Sequence, residues 1–135
     1  MRPATERRLL QAAILLACLV PLLAGGAGVA RGPAMLSGID PGTAPLDLDS
    51  HFRYLSGLLL GMGIGFVICV PAIERRTAVF RALGLLAVLG GLARLYSALT
   101  IGLPGPGHIF GLFMELGTVP LLLLWQSRVA RRFGG

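Results

Sequence analysis

The chain predicts an all-α fold, a four-helix transmembrane bundle, and three observations carry that prediction. Its 135 residues are 55% hydrophobic and only 13% charged, about half the charged share of soluble domains. Its apolar residues gather into four runs of about 18–23 residues, the length that crosses a hydrocarbon core of about 30 Å at 1.5 Å per residue. Its twelve cations are all Arg, and most stand beside the ends of those runs. In lipid each backbone polar group must find its partner within the segment, so runs of this length are read as helices. The length fits one integral membrane domain over residues 1–135.

The first helix is expected at about 9–29. Arg2, Arg7 and Arg8 precede it, and Gly28-Val29-Ala30 looks like a small-residue cleavage site, so a signal peptide is the rival reading. The apolar stretch exceeds the usual h-region of about 7–15 residues, which favours a retained helix. Pro21 removes the hydrogen bond to the Ala17 carbonyl. Residues 30–50 form the one long loop, with turn chemistry at Gly32-Pro33, Asp40-Pro41-Gly42 and Pro45. The second helix is expected at about 52–72 and ends in a tight turn after Pro71. The third is expected at about 79–101, followed by Gly102-Leu103-Pro104-Gly105-Pro106-Gly107. The fourth is expected at about 108–125, where Trp125 suits an interface.

Arg placement sets an expected orientation. Arg2, Arg7 and Arg8, then Arg75, Arg76 and Arg81, then Arg128, Arg131 and Arg132 alternate to one side. The positive-inside rule puts that side, and both termini, in the cytoplasm of a cell whose inner membrane holds the protein. The absence of Lys fits a GC-rich bacterial genome. The net charge of +6 is accounted for by topology, so no nucleic-acid partner is expected. Cys18 and Cys69 lie in apolar runs and read as small hydrophobes.

Two charges lie deep in apolar runs, Arg94 in the third and Glu115 in the fourth. A charge at such depth costs at least about 2.5–3.5 kcal/mol and usually faces a partner or a wet cavity. Arg94 falls about 10 Å below the outer end of its helix, and Glu115 about 10 Å below the same face. Small residues share their helix faces: Gly84, Ala87 and Gly91 with Arg94, and Gly111 and Thr118 with Glu115. Gly57, Gly61 and Gly65 share a face with Arg53. Small residues mark close helix contact in membranes, so these charges should point toward other helices. Pro120 should free the Leu116 carbonyl beside Glu115.

At the mouth of the second helix stand Asp49, His51, Arg53 and Tyr54. With Arg94 and Glu115 they make the candidate ligand-binding set, an outward-facing polar pocket. Two Arg against one Glu would leave a surplus cation, for which an anionic or lipid-like ligand is the complement; Asp49 offsetting Arg53 is the structural alternative. The pair equally reads as a register-fixing salt bridge, Arg53 as a snorkelling cation, and His51 and His108 as solvated rings. No zinc-type spacing is present, and Gly61-x-Gly63-x-Gly65 lies mid-helix, so no metal or cofactor is expected. No nucleophile elbow or triad can be argued, so no catalytic residue is assigned.

The stretch Asp49-Ser50-His51-Phe52-Arg53-Tyr54-Leu55-Ser56-Gly57 with Gly61, then Ile73-Glu74-Arg75-Arg76, Phe80-Arg81-Ala82, Gly90-Gly91-Leu92-Ala93-Arg94-Leu95-Tyr96-Ser97 and Leu124-Trp125-Gln126, resembles the domain-of-unknown-function 4345 family. That resemblance implies a small bacterial four-helix membrane protein and carries no activity with it. The functional expectation is binding or passage of a small anionic or amphipathic ligand. The alternatives are a non-catalytic accessory subunit, docking a membrane partner or a second copy, and an intramembrane enzyme using Glu115.

Overall fold

The computed structural model describes residues 2–133. Its long helices are α1 (Pro3–Arg31), α2 (Leu46–Cys69), α3 (Thr77–Thr100) and α4 (Pro106–Phe133), and no strand occurs among the described residues. All four are long and apolar enough to cross a membrane. Large apolar side chains such as Leu16, Leu23, Leu99 and Phe113 stand exposed along them, as expected where lipid is the solvent.

The helices outrun the apolar runs. The first begins at Pro3 rather than near residue 9, the second at Leu46 rather than 52, and the fourth continues to Phe133. Hydropathy marks the hydrocarbon-spanning part of a helix; Glu, Gln and Arg are good helix formers that extend α1 and α4, and Asp47 and Asp49 in the first turn of α2 suit its dipole. The ends obey local rules. Pro3 and Pro106 occupy first-turn positions where a missing N–H costs nothing. Arg31 closes α1 in favour of its dipole, and Gly32 follows at φ +60°, the left-handed stop that glycine accepts most readily. Pro21 sits inside α1 without ending it.

Contacts divide the chain into two compact units. One joins α1 up to Ala17 with everything from Ile68 onward. Its core is Leu10, Ile14, Ile73, Phe80 and Val129, with Gln126 fully buried among the polar groups. Gln126 Nε2 donates to the Ile73 carbonyl at 2.9 Å and to Thr77 Oγ1 at 2.8 Å. Glu6 is also buried, gripped by Arg128 at 3.0 Å and Arg132 at 2.5 Å. In this unit α3 and α4 pack closely at glycines: a Cβ on Gly84 would meet the Leu123 side chain, and one on Gly91 would meet Glu115.

The second unit is Cys18–Val67. Here the glycine face expected on α2 is not the packing face. Gly57 and Gly61 are exposed, and a Cβ on Gly61 would meet nothing. The close approach is made by α1, whose Gly25 lies against the Leu60 backbone and whose Gly28 lies against Ser56. Because α1 supplies the small surface, α2 can present Ser56 and Leu60 there, and Gly63 of α2 packs tightly beneath Leu22.

Candidate functional site

In α4 the backbone widens into a π turn over Met114–Thr118, closed by the Val119 N–H donating to the Met114 carbonyl. Pro120 supplies the cause. It has no N–H, and its ring would collide with the Leu116 carbonyl in a regular α turn. The sequence leads to a kink or a freed carbonyl here, and the chain takes one wider turn, a feature frequent at functional sites. Glu115 lies on that turn.

Glu115 meets Arg94 of α3. Arg94 Nε donates to Oε2 at 3.0 Å and Nη2 donates to Oε1 at 3.1 Å. This is the two-pronged fork that guanidinium and carboxylate form best. Arg94 Nη1 lies 2.8 Å from His108 Nδ1. A guanidinium only donates, so Nδ1 must accept, and the neutral ring carries its proton on Nε2. Glycines wall the cluster from both helices. A Cβ on Gly91 would come within 2.7 Å of Glu115 Cβ, and one on Gly111 would sit 3.6 Å from Arg94 Cζ. The side chains of Arg94 and Glu115 are 30% and 19% exposed, so the pair is mostly but not fully buried.

His108 is not among the six residues to which the sequence points. A signal for it exists: His108, Gly111, Glu115 and Thr118 follow i, i+3, i+7 and i+10 spacing, one helical face.

The residues at the mouth of α2 form a separate cluster in the second unit. Arg53 Nε donates to Asp49 Oδ2 at 2.8 Å, and Nη2 to Oδ1 at 3.2 Å. Arg53 Nη1 donates to the carbonyls of Val29 at 2.5 Å and Ala30 at 3.2 Å. These are carbonyls of the last turn of α1, which have no partner within their own helix. A Cβ on Gly32 would meet both Asp49 and Arg53, so that glycine is needed for space as well as for its turn. The surplus cation reasoned from two Arg against one Glu is therefore absent, because Asp49 neutralises Arg53. His51 and Tyr54 stack with ring centres 6.5 Å apart, both exposed.

The family described as Domain of unknown function (DUF4345) matches residues 9–126. The chain belongs to that DUF4345 family. No curated protein and no solved structure matches it. In this DUF4345 member the matched stretch contains both polar clusters. The first two turns of α1 and the last turns of α4, where Glu6 holds Arg128 and Arg132, lie outside it.

Proposed function

We propose that this DUF4345 protein is a multi-pass protein of the bacterial inner membrane, with both termini cytoplasmic. Its Arg94–Glu115–His108 site binds or passes a small amphipathic molecule. The carrying observation is the combination of a forked ion pair with a His acceptor on the same guanidinium, walled by Gly91 and Gly111 and set on a π turn. A salt bridge that only fixed helix register would not need the His on the same guanidinium. Arg94 has five N–H groups, and the contacts above engage three of them. At membrane depth the remaining two call for water or an acceptor. With Glu115 balancing Arg94, and Asp49 balancing Arg53, the fitting headgroup is neutral or zwitterionic and accepts hydrogen bonds. The fork also holds Glu115 as a charge partner, which favours binding over a role in proton transfer.

Molecules retained after purification in mild detergent test this reading. Arg94→Lys keeps the charge but loses the fork, and is expected to lower the retained molecule by about tenfold, the worth of one charge-assisted hydrogen bond. Arg53→Lys should retain it at the wild-type level. Equal retention in wild type and Arg94→Lys would sink the reading. Orientation is tested by cysteine labelling of intact cells: Ser37→Cys should react with an impermeant reagent from outside, and Arg131→Cys should not.

A second reading, an accessory subunit or homo-oligomer, draws on the exposed Gly57 and Gly61 of α2, since small residues let transmembrane helices approach closely. It expects a co-purifying membrane protein, and no retained molecule in any of the three samples.

A further inference from the structure

The end of the molecule that carries Arg2, Arg7, Arg8, Arg75, Arg76, Arg81, Arg128, Arg131 and Arg132 holds just two acids, Glu6 and Glu74. The two acids are used very differently. Glu6 is buried and tightly held, with one Arg on each carboxylate oxygen at 3.0 and 2.5 Å. Glu74 is also nine-tenths buried, yet its one ion-pair partner, Arg7, stands off at 3.5 Å, beyond the usual reach of about 2.7–2.9 Å for a charge-assisted bond. Its Oε2 is buried with no hydrogen-bond partner, a state that costs about 1–3 kcal/mol or more. Arg7 meanwhile lies with its guanidinium carbon 5.8 Å from the centre of the Phe133 ring. Beside these groups is a cavity of about 200 Å³ lined by Arg7, Glu74, Arg75, Ala130 and Phe133. Arg75 is exposed, and among the described residues its side chain has no hydrogen-bond or carboxylate partner.

We propose that this cavity is a headgroup site for a phospholipid bearing a primary amine, of the phosphatidylethanolamine class. The phosphate suits Arg75 and Arg7, whose donors are largely unused, and basic pockets at the ends of transmembrane helices favour lipid phosphate. A plain anion fits less well, because the Glu74 carboxylate shares the cavity wall and repels it. An ammonium resolves that conflict, since it donates to a carboxylate with lone pairs to spare. Choline carries the same charge but no N–H, so it leaves Glu74 as it is. Phe133 and Ala130 give the headgroup an apolar wall. The lipid, rather than a soluble phosphoethanolamine, is the source, because the cavity opens where four membrane-length helices end.

Native mass spectrometry of the full chain, titrated in detergent with phosphatidylethanolamine, phosphatidylcholine or phosphatidylglycerol, tests the assignment. Wild type should bind the ethanolamine lipid about tenfold more tightly than the choline lipid, the worth of one charge-assisted hydrogen bond. Arg75→Ala, an exposed change in a connecting turn, should weaken all three lipids. Glu74→Gln should erase the ethanolamine preference while leaving phosphate-dependent binding. Soluble phosphoethanolamine at matched concentration should not displace the lipid. Equal binding of ethanolamine and choline lipids by wild type, an unchanged preference in Glu74→Gln, or displacement by the soluble headgroup would overturn the proposal.

Discussion

Glu115→Ala is expected to lower the stability of the folded protein by about 3 kcal/mol, read as a shifted unfolding midpoint on titrating denaturing detergent into micelles. Breaking a buried ion pair by removing one partner costs about 3–5 kcal/mol, because the other charge is left uncompensated. The lower end applies here, since Arg94 and Glu115 are 30% and 19% exposed and water reaches the abandoned guanidinium. Arg94 would also keep only His108 as a bonded partner. The double variant Arg94→Met with Glu115→Leu separates structure from function. Replacing both charges by apolar groups of similar volume is often neutral or better, so its stability should return to within about 1 kcal/mol of wild type. Retention of a bound molecule should not return with it. A Glu115→Ala protein as stable as wild type would mean that water already screens the pair.

Gly25→Ala should destabilise by about 1–3 kcal/mol, the range for inserting atoms into a filled contact. The new Cβ would lie 2.6 Å from the Leu60 backbone nitrogen and 2.9 Å from its Cα. Those atoms belong to the backbone, so no rotamer change relieves the clash, and α1 and α2 must move apart within their unit. Gly26→Ala is the internal control. Nothing lies within 4 Å of its added Cβ, and Ala exceeds Gly in helix propensity by up to about 1 kcal/mol. It should therefore be neutral or slightly stabilising in the same unfolding assay. Equal loss in both variants would assign the effect to the helix rather than to the α1–α2 contact.

The residues show in particular terms what was readable in advance. Arg94 and Glu115 stand out in a bare sequence because a charge in an apolar run is rare, and counting rises from the helix ends puts them at one level. His108 shares a face with Glu115, but a His at a helix mouth is ordinary, so spacing alone gave it no weight. The widened turn at Met114–Thr118 was signalled by Pro120, which announces that a regular turn must fail and not how it will fail. The glycine stripe of α2 misled at Gly61, where an added Cβ would meet nothing. Its spacing is as regular as that of α3, but spacing says nothing about which helix supplies the small surface, and here Gly25 and Gly28 of α1 supply it.

Fold class, the four apolar lengths and the family are legible in the chain, because these follow from composition, run length and local motif. The chain also shows that some charges must find partners. Which partners they find was decided by tertiary structure alone. Arg53 had Asp49, a ligand and the membrane interface as candidate destinations. The turn at Gly32 brings the last carbonyls of α1 to its guanidinium, and Asp49 takes the rest of the fork. Glu6 and Glu74 look alike in sequence, each beside Arg in a polar flank. One is clasped by two guanidiniums and the other is left with a loose partner and an unpartnered oxygen. The strength of an ion pair depends on ångström-level distance and on burial, and both are set by how separate segments pack, which no local pattern encodes.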